Sequence, residues 1–397
     1  MRHRTIRFQA LFIMLTLCYA VATAHADTDP LDCSKKSLAD AVKNPKDLTI
    51  NFTGVCPGPI LIQTDGLTLK GIGTAIIDGG GQDALTIMGA SNVSLSDFEV
   101  RNGRNGIAAV NGAHLTLSGV SSHDNLVFGI TIQTGSSAVI TNVAITHSGL
   151  HGFDVQTGSA VTVTGTFTSS SNTVFGININ GSSITFAKAT VTANGNALGI
   201  QIATNSNAFI NDAATVINAS SNLSTGLTIV SGAHMVSFGG TINTSNNPVN
   251  GVSVNSKGGL DLDAASTLNS SNNGNGVVVQ QNSVMTIFNT PQFSGVAGFS
   301  TVNAQNNSGD GVRVLNGATL TLTNQARVNS LQNGQAGLVS DDGTRVTLVN
   351  STITGNTLHD IRLTFGTLVD LRTLVFGTYT CDATVLVRGT SGITCPH

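Results

Sequence analysis

The sequence predicts an all-β chain wound as a parallel β-helix, and three observations carry that prediction. A glycine followed by an apolar-polar-apolar triplet recurs at Gly106, Gly129, Gly152, Gly176, Gly199, Gly226, Gly251, Gly276, Gly311 and Gly337, at separations of 23, 23, 24, 23, 27, 25, 25, 35 and 26 residues. A near-constant period of this size marks stacked repeats, none of which can bury its apolar face alone. Four residues before the glycines lies a second column: Asn102, Asn125, Asn172, Asn222, Asn247, Asn272, Asn307 and Asn333, broken by Ser148 and Gly195. Stacked asparagines can form an amide ladder along the axis and tolerate left-handed turns. Within each coil, apolar residues alternate with polar ones and are bounded by Gly/Ser/Asn turns, as with Ile130 and Ile132 before Gly135-Ser136-Ser137. About twelve coils at strand spacing would make a rod roughly 60 Å long.

Residues 1–26 read as a signal peptide: Arg2, Arg4 and Arg7 open it, Leu11 to Ala22 is a nearly unbroken apolar run, and Ala24-His25-Ala26 fits a cleavage site. The apolar run is too short for a membrane span, and no later stretch is long enough. The expected location is therefore secreted or periplasmic. Residues 27–62 form an N-terminal cap, in which Ser37-Leu-Ala-Asp-Ala-Val-Lys43, halted by Asn44-Pro45, is a short amphipathic helix. Residues 63–379 make the β-helix, and 380–397 the C-terminal cap. Such caps cover sheet ends that would otherwise invite edge pairing. The long coil between Gly276 and Gly311 carries an insertion with Pro291, Phe293 and Phe299, expected to project as a loop.

Loss of Cys18 with the leader leaves Cys33, Cys56, Cys381 and Cys395. Four cysteines allow three pairings. The stack holds the chain ends far apart, which favours Cys33–Cys56 and Cys381–Cys395, and an oxidising compartment would preserve both. Without the leader, 15 basic residues face 21 acidic ones. So weak an acidic balance gives no case for nucleic acid or an anionic membrane as partner.

Leu67-Thr-Leu-Lys-Gly-Ile-Gly73, Ile77-Asp-Gly-Gly-Gly81 and the Gly-Ile-Thr-Ile coils resemble right-handed parallel β-helix repeat proteins of the pectin-lyase-like superfamily. The likeness spans essentially all of the mature chain and implies a single-stranded right-handed solenoid. Many members act on polysaccharides; others are adhesins. The paired aspartates and Gly-His-Gly turn of the polygalacturonases are missing, as is the calcium-aspartate cluster of pectate lyases. His123-Asp124 resembles the His-Asp pair of β-helical alginate epimerases.

The densest group of ionisable residues runs from Asp97 to Asp154. Five residues before successive glycines stand Arg101, Asp124 and His147, expected to stack about 5 Å apart. Arg101 could bind a uronate carboxylate while His147 moves a proton, with His123 beside the column and Asp154 outward on the following strand. Equally, such a column balances charge on a turn. His151 aligns with Phe128 and Phe175, which points to an aromatic stack. Arg313 and Arg362, with Asp310, Asp341, Asp342 and Arg345, form a second group read as a surface ion-pair network. Asp261 and Asp263 share a strand face, but calcium needs more oxygens, and the histidines lack a zinc spacing; no metal or cofactor is expected.

Two functional readings stand beside a third, a passive structural or adhesin rod. The first is a binder of extracellular or periplasmic polysaccharide, with Gln133, Gln156, Asn178, Asn180 and Gln201 donating and accepting along a polar face. The second is a lyase or C5-epimerase acting on a uronate glycan through Arg101, His123, Asp124, His147 and Asp154. Sequence leaves the choice of enzyme or binder, the glycan and the oligomeric state open.

Overall fold

A computed structural model describes residues 29–290, 298–323, 325–389 and 392–396. The leader and most of the insertion, with Pro291 and Phe293, lie outside the described residues. The rest is a parallel β-solenoid with one helix, Leu38–Lys43. Each coil contributes strands to three faces. The front face is a sheet of fourteen parallel strands, stacked in chain order from Ile60–Ile62 to Tyr379–Cys381. Ten of them carry the marker glycine. The rungs at Ile60–Ile62, Leu85–Met88, His359–Leu363 and Tyr379–Cys381 lack it, so the glycine count underestimates the fourteen coils.

The second and third faces are continuous, because strands such as Ser137–Thr146 and Ala160–Ser170 bend from one to the other with a register shift. Left-handed residues make that corner, including Asn142 (φ 53°), Gly165 (φ 62°) and Lys188 (φ 50°). The inward column Ile107, Ile130, Phe153, Ile177, Ile200 is in strict register and at most 2% exposed. Columns of this kind merge into one apolar core running the length of the rod.

Both ends are closed as expected. Ser37 caps the helix by accepting from the Asp40 backbone N–H at 3.1 Å, and Leu38 and Val42 plug the core. Cys33–Cys56 and Cys381–Cys395 are the two disulfides, with Cα separations of 5.0 and 5.5 Å.

Between the third and front faces runs a buried asparagine ladder. Its members are Asn125, Asn172, Asn196, Asn222, Asn247, Asn273, Asn307, Asn333 and Asn356, with Ser148 as the one interruption. In each case the backbone N–H of one rung donates to the Oδ1 of the next, as from Asn222 to Asn247 at 2.9 Å. Asn102 and Asn272 are not members, and Gly195 is not a gap. The turn before the marker glycine varies by a residue, so a fixed offset lands on the neighbour: Gly103, Asn273 and Asn196 hold the true positions. Asp360 ends the ladder. It accepts from the backbone N–H and side-chain Nδ2 of Asn356 and from the backbone of Gly377 and Thr378.

Asn247→Ala would strand the N–H and Nδ2 of Asn222 in a dry interior, and is expected to cost on the order of 3 kcal/mol, read as a lower urea midpoint. Burial pushes Asp360 up, but hydrogen bonds from Asn356, Thr378 and Gly377 outweigh it and hold its carboxyl below the usual range. Its stabilisation is thus complete above the unfolded pKa near 3.9 and is lost as pH falls through the lower folded value. Asp360→Asn should flatten that acid limb in thermal melts across pH.

Candidate functional site

The residues expected to form one site fall on two faces. On the third face Arg101 is in register with Asp78 on one side and His123 on the other. Its Nε lies 3.1 Å from Asp78 and an Nη 3.2 Å from Glu99. His123 bridges Glu99 (3.1 Å) and Asp124 (2.7 Å). The expected Arg101–Asp124–His147 stack is not formed. Three residues link Arg101 to Asn105 but four link His123 to Phe128, so Arg101 meets His123, and Asn102 takes the position equivalent to Asp124. Asp124 (φ 54°) and His147 (φ 53°) follow the strands in left-handed turns. Hydrogen bonding to Asp78, against the cost of burial, raises the Arg101 pKa further. The Arg101 guanidinium is thus paired to two carboxylates of its own chain at a partly exposed position, where such pairs add little stability.

Asp154 belongs to the front face, on the ladder Ala108–Thr131–Asp154–Asn178–Gln201–Thr228–Ser253. These side chains point away from the core, yet Thr131 and Asp154 are 0% and Asn178 5% exposed. The expectation of a solvent-facing Asp154 is corrected by its neighbours. Gln133 folds back to donate Nε2 to Thr131 Oγ1 at 2.7 Å, and Gln156 donates to Asp154 Oδ2 at 2.6 Å. Thr131 donates to Oδ2 at 3.2 Å and Asn178 to Oδ1 at 2.8 Å. Burial raises the Asp154 carboxyl above its usual range, against these three donors. Asp154 makes no ion pair with a described residue.

The middle ladder lies between two flanking columns. On one side are half-buried Gln133 and Gln156 and exposed Asn180; on the other, half-buried Phe128 and Phe175 with His151 buried between them. His151 stacks between the two rings at centroid distances of 5.5 and 4.6 Å, as the alignment anticipated. Burial lowers its pKa to about 4, so the ring is neutral at pH 7. The result is a strip of the front face with an aromatic row on one side, a row of amides on the other and a covered carboxylate between them.

Other groups do not converge on it. Arg313 and Arg362 share a front-face column through Val339, and Arg313 pairs with Asp310 at 3.2 Å. Asp341, Asp342, Arg345 and Arg362 enter no ion pair among the described residues, so the expected network reduces to one bond. Asp261 pairs with His234 at 3.2 Å, whereas Asp263 is buried against Thr290. Among the described residues no group of three acids, histidines or cysteines could hold a metal. No described helix is long and apolar enough to cross a membrane. A concavity of about 410 Å³ opens on the second face, lined by Asn92, His114, Thr116, Ser137, Thr162 and Thr185 with others, none of them a residue singled out from the sequence.

Sequence inspection also missed an outer ladder on the third face. Asn243, Asn269, Asn303 and Asn329 each donate Nδ2 to the preceding rung, beginning at Asn218, at 2.8–2.9 Å. Its signal was present in Thr241-Ile-Asn243, Thr267-Leu-Asn269 and Thr301-Val-Asn303, which recur without a marker glycine.

No protein-family model and no curated protein matches the chain. Solved structures of similar shape include two Azotobacter vinelandii mannuronan C-5 epimerase A-modules. AlgE4 is 13% identical, with 89% of this chain and 93% of that one covered and a TM-score of 0.43. AlgE6 is 15% identical, with 88% and 93% covered and a TM-score of 0.40. The Dettilon tailspike protein is 12% identical, with 92% and 67% covered and a TM-score of 0.36. Likenesses this distant say nothing about the chemistry of this chain.

The unfolded His151 would take up a proton near pH 6.5, the folded one only near pH 4. Stability should therefore be full above pH 6.5 and decline towards pH 4. His151→Phe keeps the stack and removes the titration, so its melting temperature should fall less than the parent's over that window.

Proposed function

We propose that this chain is an exported, non-catalytic protein that binds an extended polysaccharide along this strip of the front face. The observation that carries this reading is the direction of the amides. Gln133, Gln156 and Asn178 each use one N–H on Thr131 or Asp154, and no described hydrogen bond uses their side-chain carbonyl oxygens, so these remain to accept from sugar hydroxyls beside the second N–H. Asn180, exposed beside them, and half-buried Gln201 extend the row. Successive rungs repeat about every 4.8 Å along the axis, so a polymer lying along the strip meets polar side chains at successive rungs. The Phe128–His151–Phe175 stack borders the strip with apolar edges. Two disulfides and the leader-like residues 1–26 support export to an oxidising compartment.

A lyase or epimerase needs an acid–base pair and a carboxylate reader at one place. Here Asp154 is on the front face, while Arg101, His123, Asp124 and His147 are on or beside the third, where Arg101 already has two acidic partners. That separation favours binding over uronate chemistry.

Retention on immobilised polysaccharides, with product analysis of the same mixtures, tests the reading. The expected result is retention without chain shortening or new unsaturation, weakened about tenfold, or ~1.4 kcal/mol, in the Gln133→Ala, Asn180→Ala double variant. Chain cleavage, unsaturation or epimerisation abolished by Asp154→Asn would instead make the protein an enzyme.

A further inference from the structure

Resting on that binding reading, we infer that the front-face strip over Asp154 selects a cationic glycan: a polymer of amino sugars carrying free ammonium groups. The strip is an unusual electrostatic surface. All three partners of Asp154 donate to it, an arrangement that fits the ionised carboxylate. No described cation neutralises it, and the side chains that cover it are neutral. The groups facing it are His151 on its own strand, which is uncharged at neutral pH, and Thr131, Gln133, Gln156 and Asn178, which do not titrate. Arg104, two rungs away at the turn edge, is exposed to solvent and screened.

A buried charge with no counter-ion acts over a longer range than an exposed one, because little water lies between it and the surface. The oxygens above it reinforce the same sign. Gln133, Gln156 and Asn178 each commit one N–H inward and leave the side-chain carbonyl oxygen without a described donor, so unfilled acceptors stand beside the carboxylate. A neutral sugar satisfies the acceptors through its hydroxyls. An ammonium satisfies them and also supplies the missing charge, as a charge-assisted bond to Gln156 or Asn178. A uronate does the opposite: its carboxylate would lie over acceptors and a like charge.

Titration calorimetry of the purified protein with matched-length β-linked glucosamine oligomers, their N-acetylated counterparts and galacturonate oligomers, at neutral pH because burial raises the Asp154 carboxyl and acid would neutralise it, separates the possibilities. The amino oligomer should bind at least about tenfold more tightly than the acetylated one, with galacturonate weakest. Asp154→Asn removes the charge and should lower the amino-oligomer affinity more than the acetylated one, shrinking the preference. Should that variant fold poorly, Gln201→Lys places a competing positive charge on the same ladder two rungs away and should likewise lower the amino-oligomer affinity more than the acetylated one. Equal affinity for amino and acetylated oligomers would overturn this inference and leave glycan binding standing. An amino preference that survives both substitutions would place its source elsewhere and overturn it too. Binding of none of the three would defeat the glycan reading itself.

Discussion

Everything in this molecule depends on keeping successive coils in register, and the buried asparagine ladder is what fixes that register at the tightest corner. A turn that leaves the third face and enters the front face has backbone N–H groups in a dry interior with no strand beside them. An unpaired group there costs about 1–3 kcal/mol. Each ladder residue removes that cost for its neighbour by offering Oδ1 to the N–H of the preceding rung, and its Nδ2 often reaches the rung beyond. The ladder also needs an end, and Asp360 supplies it: a carboxylate accepts four hydrogen bonds where another amide would have had to find an acceptor of its own.

The same economy of polar groups explains both candidate sites. On the third face, Asp78, Glu99 and Asp124 close around Arg101 and His123, and the group is satisfied within itself. On the front face, satisfaction is one-sided. Donors turn inward to a carboxylate, and the acceptors that remain face outward. Chemistry offered to a ligand is thus decided by which end of each amide the fold has already used.

Much of the fold was legible in the chain because the repeat imposes one periodicity on many residues. The glycine marker located ten of the fourteen front-face strands, the cysteines at the two ends could reach only their local partners, and His151 aligned with phenylalanines that it does stack upon. The failures share a cause. Turns of differing length join the third face to the front, and counting back from a glycine crosses those turns. Arg101 was consequently set beside Asp124 when it meets His123, and Asn102 and Asn272 were placed in a ladder held by their neighbours.

The sequence by itself determined the architecture: parallel coils, alternating inward residues, a capping helix and two disulfide-closed ends. These follow from hydrophobic period and chain connectivity, which are one-dimensional properties. Only the tertiary structure decided the state of the side chains. That Thr131 and Asn178 both donate to Asp154 and that Arg101 meets Asp78 depend on residues 23 or 24 positions apart becoming neighbours at strand spacing, while Gln156 and Glu99 reach Asp154 and Arg101 from two positions away on the same strand. Burial and hydrogen-bond direction belong to that stacked surface.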